Sequence, residues 1–390
     1  ESSETLVLGA LSLEETVALV TLRLGLPEGG LPESISELVR ERAGGNPFYA
    51  EELVLALRDQ GLIRVATEAG ITRCLVDDAL GEATQDLPDT VQGLVLSRID
   101  RLPPEQQLTL KVAAVIGRTF PYTPLQHTLV QHSDISDQTL RGHLDDLAVL
   151  DLTPLDAPEP EPTYIFKHIT TQEVAYQTML YSQRRQLHRT VAGWYEGKYG
   201  ETDGELAAYL PLLVHHFHYA EVPGQERYYA RRAGQHAAAQ FANTEAVRYL
   251  GRALELTSEE DMAERYALLL SREKVYDLLG ERGLQQQDLS VLESLAAALG
   301  EERRQAEVGL RQAYYSEVTG DYPTAVAATE TAVSLAHPAQ EVQSEAAGYL
   351  QWGRALWLQG EYVPARAQLE QALDRAQVAR LRQVEADSLR

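Results

Sequence analysis

Three histidines close together are the first residues whose spacing could support chemistry. His215 and His218 are one helical turn apart and can share a face of a helix, whereas His216 points elsewhere. A zinc site needs three or four ligands, and no Cys, Asp or Glu stands at helical spacing to complete such a set on that face. Packing between helices is therefore the default role of these histidines, and we expect no metal site.

Signatures of catalysis are absent from the sequence. It contains no GxxxxGK[ST] phosphate loop, so no cradle of backbone amides with a following lysine is available to hold a triphosphate. The GxSxG, HExxH and calcium-loop patterns are also absent. The four lysines, none of them in a glycine-rich loop, are Lys111, Lys167, Lys198 and Lys274. We therefore expect this chain, as it stands, to have no catalytic residue and no enzymatic activity.

The composition predicts a cytoplasmic protein of two or three domains. The chain has 390 residues, of which 44% are hydrophobic, so each domain can bury a core. A single cysteine, Cys74, excludes an internal disulfide framework and fits a reducing compartment. The sequence has no run of eighteen apolar residues and no basic start followed by an apolar core. We expect neither a membrane span nor a signal peptide.

The charge balance argues against a nucleic-acid partner. The formal charge of −24 comes from 58 acidic and 34 basic residues, which repel a phosphate backbone. The best candidate for a local basic patch is Arg184, Arg185, His188 and Arg189.

Helical patterns separated by glycine and proline fill the first two hundred residues. Ser12 and Glu15 have the spacing of a capping box, which predicts a helix to about Leu24. Further helices are predicted over 33–43, from Pro47 to Gly61, and over 91–101, 104–116 and 137–148, with a small β-hairpin over 62–76. The apolar runs 149–155 and 163–166 follow as a two-stranded ribbon. Helices followed by such a ribbon are the order of a winged-helix domain.

The helix that would read DNA in a winged helix is acidic here. Residues 137–148 carry Asp137, Asp145 and Asp146 against Arg141 alone, so phosphates are repelled. We interpret this domain as a rigid spacer.

Internal repeats dominate the chain after about residue 200. Small residues recur three times with spacings of 12 and 7, in an α-helical context without strand signals. The three sets are Gly234, Ala246 and Ala253; Ala313, Ala325 and Ala332; and Gly353, Ala365 and Ala372. Small residues at these positions let paired helices approach, and Leu250 and Leu369 are expected to fill the groove between them. The pattern resembles the tetratricopeptide repeat and predicts an α-solenoid of helical hairpins.

One repeat is degenerate, and the array is expected to continue. Between residues 258 and 300, Gly280 keeps the forty-residue phase, but Gln285 stands where alanine is expected. Such arrays need a capping repeat, so we expect truncation at Arg390. The first residue is Glu1 rather than methionine, which also suggests a piece of a longer protein.

Three stretches resemble the bacterial STAND-type signal-transduction ATPases of the AAA/NB-ARC-like class, including the cyclase-associated and LuxR/MalT-associated kinds. Residues 45–53, GNPFYAEEL, are similar to the lid-domain motif of that family. Residues 87–118 resemble the segment after its ATPase core, and residues 166–188, beginning Phe166-Lys167-His168, resemble the end of its winged-helix region. The resemblance covers roughly residues 10 to 240.

The resemblance implies a mainly α chain with three parts: a helical lid subdomain at 1–85, a winged-helix domain with a small β-hairpin wing at 86–200, and a tetratricopeptide-like array at 201–390. It also implies that Pro47 packs near the adenine and that His168 contacts the β-phosphate of ADP. ATP, ADP and Mg would bind only with an upstream core that this chain lacks, so the chain itself is expected to hold no cofactor. The alternatives to these nucleotide-binding roles are that Pro47 only starts a helix and that His168 is a structural histidine.

The resemblance further implies a regulatory or sensor portion of an ATPase switch, whose parent could carry a nucleotide cyclase. Its array would bind a protein or ligand and control self-oligomerisation. Candidate contact residues on the first helices of the hairpins are Tyr314, Tyr315, Tyr349, Trp352 and Trp357. A non-catalytic scaffold or adaptor is the alternative. A LuxR-type activator, with a basic helix-turn-helix further along, is the second alternative.

Overall fold

The computed structural model describes residues 9–68, 71–84, 87–200, 203–336 and 341–389. The chain forms two compact units, Glu1–Lys198 and Tyr199–Arg390. The prediction of a mainly α-helical chain that ends in helical hairpins is confirmed. Within the described ranges, no helix combines the length and the apolar composition that a membrane span requires.

The first unit begins with three helices, a hairpin and two further helices. Their bounds are α1 Leu13–Arg23, α2 Glu33–Ala43, α3 Pro47–Asp59, β1 Ile63–Glu68, β2 Ile71–Val76, α4 Leu80–Ala83 and α5 Val91–Asp100. The capping box is present, because Ser12 Oγ accepts from the Glu15 N–H at 3.2 Å and Glu15 Oε2 accepts from the Ser12 N–H at 2.7 Å. A buried core under α3 contains Leu53, Val54 and Leu57, the face that the helical spacing predicts.

The rest of the first unit combines helices with a three-stranded sheet. The elements are α6 Pro104–Ile116, β3 Thr119–Pro121, α7 Tyr122–His132, α8 Asp137–Val149, β4 Leu155–Ala157, β5 Thr163–Ile165, α9 Ile169–Gln177 and α10 Tyr181–Tyr199. The antiparallel sheet has the order β3-β5-β4. The helices and the ribbon of β4 and β5 follow the predicted order, and β3 is an additional strand.

The ribbon differs from the prediction in its first strand. The run 149–155 was expected to be extended, but α8 continues to Val149 and β4 begins only at Leu155. Between them the chain turns through Asp151, whose φ is 63°, and buries Leu152 at 2% exposure. The apolar residues of this run therefore serve a helix end and a turn rather than a strand.

The second unit is a succession of antiparallel helices. They are α11 Asp203–Ala207, α12 Leu210–Tyr219, α13 Pro223–Ala239, α14 Asn243–Glu255, α15 Met262–Leu279, α16 Arg282–Leu299, α17 Glu302–Thr319, α18 Tyr322–Ala336, α19 Val342–Leu358, α20 Tyr362–Ala379 and α21 Arg382–Ser388. All nine small residues that define the repeat are buried. They lie in the hairpins α13–α14, α17–α18 and α19–α20.

Two hairpins, α13–α14 and α19–α20, pair a glycine on the first helix with a leucine on the second. A Cβ added to Gly234 would lie 2.7 Å from Leu250 Cγ, and one added to Gly353 would lie 2.7 Å from Leu369 Cγ. Both leucines were predicted to fill this groove. Where the first helix carries the larger Ala313, the fourth residue after the second small position is the shorter Thr329, which is fully buried. The spacing between helices is therefore set by complementary volumes.

The degenerate hairpin, α15–α16, replaces this contact with a buried polar network. Glu273 and Gln285 are both 0% exposed, and Gln285 Nε2 donates to Glu273 Oε1 at 2.7 Å. Arg311 on α17 completes it, with Nε at 2.7 Å from Glu273 Oε2 and Nη2 at 3.1 Å from Asp277 Oδ2. Gln285, at the position where the repeat pattern has alanine, therefore serves as a hydrogen-bond partner of a buried carboxylate.

The turns inside the hairpins share one backbone conformation. Gly280, Gly320 and Gly360 follow the first helices of three hairpins with φ of 71°, 86° and 87°. The corresponding residue after α13 is Phe241, with φ 58° and 76% exposure. A left-handed conformation disfavours a side chain by roughly 1–2 kcal/mol, so the first hairpin keeps the turn at an energetic cost.

We predict that Gly234→Ala destabilises the array by about 1–3 kcal/mol, the usual range for an overpacked core. Besides Leu250 Cγ, the new methyl group would lie 3.0 Å from the Leu250 backbone nitrogen, which cannot rotate away. Urea unfolding followed by far-ultraviolet circular dichroism measures the change.

Gly251→Ala, on α14 of the same hairpin, is the matched control. Its Cβ would lie 3.6 Å from Arg272 Nη1, an ordinary contact, so it should gain roughly 0.5–1 kcal/mol from helix propensity. A neutral or stabilising Gly234→Ala would contradict the packing described here.

Candidate functional site

The segment 45–53 is held by its backbone before any ligand is considered. Gly45 has φ 80°, its carbonyl accepts from the Leu11 N–H at 2.9 Å, and a Cβ there would lie 2.6 Å from the Leu11 carbonyl oxygen. Asn46 caps α3, since Oδ1 accepts from the Phe48 and Tyr49 N–H groups at 3.0 and 3.1 Å. Pro47 is the first residue of α3 and is exposed. Its place after a glycine turn predicts this position.

The first turn of α3 contacts His168, the residue just before α9. The rings of Phe48 and His168 have centroids 4.2 Å apart and are tilted by 39°. Glu51 Oε2 lies 3.8 Å from His168 Nε2, too far for a hydrogen bond. Within the described part of the chain, Nε2 is buried without a hydrogen-bond partner. Two of the three segments that resemble the STAND family, 45–53 and 166–188, thus meet at this histidine.

Burial favours the neutral form of His168 in the folded protein. Desolvation lowers the pKa of His168 below its ordinary value, the Glu51 carboxylate opposes that shift, and Lys167 adds to it. A neutral imidazole has one donor and one acceptor nitrogen. It can therefore meet a phosphate oxygen as a donor without carrying a charge.

A buried arginine joins α3 to the segments behind it. Arg98 on α5 is 3% exposed, with Nη1 at 2.8 Å from Glu52 Oε2 and Nε at 2.7 Å from Asp59 Oδ2. Its Nη2 donates to the Leu150 carbonyl at 2.6 Å, after α8. We call Arg98, Glu52, Asp59 and Leu150 the Arg98 network. It fixes α3 against α5 and against the turn that leads to the sheet.

A second ion cluster lies at the same turn. Asp151 pairs with Lys167, at 2.5 Å, and with Arg23 at the end of α1. Lys167 immediately precedes His168, so the backbone at the histidine is tied to α1 as well. Sequence reasoning found His168 and Pro47 but not the charged residues that position them.

The five aromatic residues predicted as partner contacts lie on α17 and α19. Tyr314, Tyr315, Tyr349 and Trp352 are half-buried, whereas Trp357 is 57% exposed. Tyr349 and Trp352 stack with an interplanar angle of 5° and centroids 6.3 Å apart. The half-buried rings both pack and face solvent, and Trp357 offers the larger free surface.

A groove that sequence reasoning missed lies among α12, α13, α14 and α15. It has a volume of about 620 Å³, and His215, His218, Tyr219, Arg248 and Tyr249 are among its lining residues. His216 is fully buried. As predicted, His215 and His218 therefore share one side of the helix, and His216 points elsewhere. The sequence did contain a signal for this groove. His215 and His218 are one helical turn apart, and so are Arg248 and Arg252, which places each pair on one face of its helix.

A guanidinium occupies the position where a cation could join His218. Glu226 Oε1 lies 3.1 Å from His218 Nδ1, and Arg252 approaches both atoms, at 2.7 and 3.3 Å. These contacts give His218 and Glu226 a structural role.

Comparison with known proteins yields a partial family match and distant structural likenesses. Residues 12–69 match a family described as a domain of unknown function, DUF8739. No curated protein matches the chain. A STAND protein with a tetratricopeptide repeat sensor from Pyrococcus horikoshii is similar over 97% of this chain, at 11% identity and a TM-score of 0.36. This chain spans 62% of the length of that protein.

Two other solved structures show similar distant likeness. The apo form of RapI aligns with 88% of this chain and 77% of its own, at 9% identity and a TM-score of 0.42. Aspartyl phosphate phosphatase F from Bacillus subtilis aligns with 90% of this chain and 76% of its own, at 10% identity and a TM-score of 0.41. At such scores, the function of this chain has to be argued from its own residues.

We predict that Arg98→Met destabilises the first unit by about 3–5 kcal/mol, because Glu52 and Asp59 would be left without their buried counterion. Hydrogen–deuterium exchange should show lost protection of α3 and α5, with the helix α17 as an internal reference. Arg101→Met, just beyond α5 at an exposed position, is the control and should leave exchange unchanged. Equal protection in the Arg98 variant and the wild type would refute the role of the network.

We also predict a pH dependence that is specific to His168. Because its folded pKa is lowered, the neutral state stabilises the fold fully above the unfolded pKa of about 6.5 and this contribution is lost as the pH falls towards the folded pKa. Between pH 7.5 and 5, the melting temperature of the wild type should therefore fall more than that of His168→Asn. His236→Asn, at an exposed position on α13, should follow the wild type. Parallel curves for wild type and His168→Asn would contradict the assignment.

Proposed function

We propose that this chain is the regulatory and sensor portion of a STAND-type ATPase switch. The observation that carries the proposal is the buried, unpaired Nε2 of His168 between Phe48 and Glu51. Leaving a buried polar atom without a hydrogen bond costs about 1–3 kcal/mol. A phosphate oxygen of ADP would remove that cost.

Phosphate binding at His168 requires neighbouring side chains to move, because Nε2 donates at the edge of the imidazole ring and that atom is buried. The neighbours are Phe48, whose ring centroid lies 4.2 Å from that of His168, and Glu51, whose Oε2 lies 3.8 Å from Nε2. Movement of Phe48 displaces the first turn of α3, and the Arg98 network ties α3 to α5 and to Leu150. The contact is thus a mechanical link from a nucleotide site to the helices that follow.

The nucleotide itself would be held mainly by the upstream ATPase core that the resemblance implies. In this proposal Pro47 lies near the adenine, His168 donates to the β-phosphate, and ATP, ADP and Mg belong to the parent protein. Pro47 and Phe48 are consecutive in the sequence. In this proposal the first turn of α3 therefore lies near the adenine through Pro47 and near the phosphates through the contact of Phe48 with His168.

The winged-helix segment acts in this proposal as a spacer rather than a DNA reader. On α8, Arg141 is engaged by Asp137, with Nε at 3.0 Å from Oδ2, and the Asp137 Oδ1 accepts from the Tyr122 hydroxyl at 2.6 Å. The one arginine of this helix is therefore paired locally.

The array would supply the sensor surface. Its hairpins place Tyr349, Trp352 and Trp357 on a single helix, α19, with Tyr314 and Tyr315 on α17. Aromatic side chains contribute large contact areas at low entropic cost, which suits a protein or ligand partner. Partner binding here would control self-oligomerisation of the parent.

Calorimetric titration of ADP and ATP tests the proposal on the full-length protein that contains this chain and on the chain alone. We expect ADP to bind the full-length protein, and His168→Ala to weaken its affinity about 10-fold or more, the worth of one hydrogen bond to a charged group. The chain alone should not bind measurably, because it lacks the phosphate loop.

His236→Ala is the matched control and should leave the affinity unchanged. A full-length protein that binds neither nucleotide would overturn the switch and favour the adaptor, in which the array alone has a binding function. Full affinity in His168→Ala would remove the histidine from the nucleotide site.

A further inference from the structure

A cavity of about 410 Å³ lies among α6, α7 and α10, and none of its lining residues belongs to the Arg98 network or to the His168 contact. Its lining residues are Pro104, Gln107, Leu108, Lys111, His132, Met179, Gln183, Gln186 and Leu187. Pockets for small molecules usually measure about 300–1,000 Å³ and combine an apolar wall with a few polar groups. This cavity has both the volume and the composition.

The apolar part of the lining is rigidly held. Met179 is 4% exposed and Leu187 is 6% exposed, so both belong to the packed interior of the first unit. Leu108 contributes from the opposite helix, α6. An apolar ligand body would therefore replace water against preformed walls rather than order a loose surface.

The polar part of the lining favours one negative charge. Lys111 is half-buried, and no carboxylate of the described residues pairs with it. No aspartate or glutamate lines the cavity, although the chain as a whole has a formal charge of −24. An unpaired lysine in a partly desolvated position attracts an anion more strongly than one in water.

A side-chain amide of α10 supplies hydrogen-bond donors beside the lysine. Gln107, one helical turn before Lys111 on α6, is not available for this role, because its Nε2 donates to the carbonyls of Asp100 and Leu102 at 3.2 and 2.9 Å. On α10, Gln183 accepts from the Leu180 N–H through Oε1 at 3.0 Å, which leaves its amide N–H groups as donors. Burial lowers the pKa of His132, which favours the uncharged form of this side chain.

We infer that this cavity binds a small organic monoanion, with a carboxylate at Lys111 and Gln183 and an apolar body against Leu108, Met179 and Leu187. One lysine with no arginine in the lining suits a single carboxylate better than a doubly charged phosphate. The site is independent of the nucleotide switch proposed above.

Methionine NMR gives a direct test, because the sequence has only two methionines, Met179 in the cavity wall and Met262 at the start of α15. The chain is labelled with 13C at the methionine methyl groups and titrated with octanoate. The Met179 signal should shift and saturate while the Met262 signal stays fixed. Met262→Leu assigns the two signals.

Two further probes separate charge from hydrophobicity. Octan-1-ol has the same apolar body without the charge, and acetate has the charge without the body; each should bind at least about tenfold more weakly than octanoate, the equivalent of roughly 1.4 kcal/mol. Lys111→Gln should abolish the preference of octanoate over octan-1-ol. Lys198→Gln, an exposed lysine on α10, should preserve it.

Leu108→Trp fills the cavity and should abolish the Met179 shift without lowering the melting temperature of the array. Equal binding of octanoate and octan-1-ol, or an unchanged preference in Lys111→Gln, would overturn the assignment of a monoanion. Shifts of both methionine signals would show that octanoate binds exposed apolar surface and would overturn the site itself.

Discussion

The first unit depends on the burial of one guanidinium between two carboxylates. Arg98 would be costly to bury alone, and so would Glu52, so each group is stable in the interior only while the other is in place. The contacts join segments that are 46 and 52 residues apart along the chain. Such a network favours a single relative position of α3, α5 and the turn after α8. Because Phe48 lies in the first turn of α3 and His168 follows the ribbon, the distance between these two rings is a consequence of that position.

Three hairpins of the second unit obey a different constraint, because their paired helices approach through small residues rather than through a buried ion pair. A glycine faces a leucine in two hairpins, and a third buries an alanine and a threonine at the corresponding positions. These contacts are local in sequence and repeat along the array. The two units therefore suit different tasks. The first unit can respond to a change at one point, because directional contacts join its parts. The second unit repeats one helix-to-helix spacing, so the side chains on its surface can vary without changing that spacing.

Sequence patterns predicted the features that arise from local chemistry. The capping box at Ser12 and the proline at the start of α6 depend on residues within one turn, and the small-residue spacing depends on residues of a single hairpin. Features that depend on distant partners were missed. Strand β3 is only three residues long and exists because β5 pairs with it. The roles of Arg98 and Gln285 were missed for the same reason, since their partners come from other helices. His168 was found through resemblance alone; its burial by Phe48 required coordinates.

The polar network of the degenerate hairpin has a consequence for the order of the repeats. Hairpins that meet through small residues have surfaces of one kind, so their sequences can be exchanged or duplicated with modest repacking. The junction between α15 and α17 restricts such exchange, because Glu273 needs a guanidinium from the following hairpin and Arg311 needs a carboxylate from the preceding one. Moving either hairpin would bury an unpaired charge. This junction therefore specifies which hairpin follows which in the array. It also disfavours the register slips that identical repeats would allow.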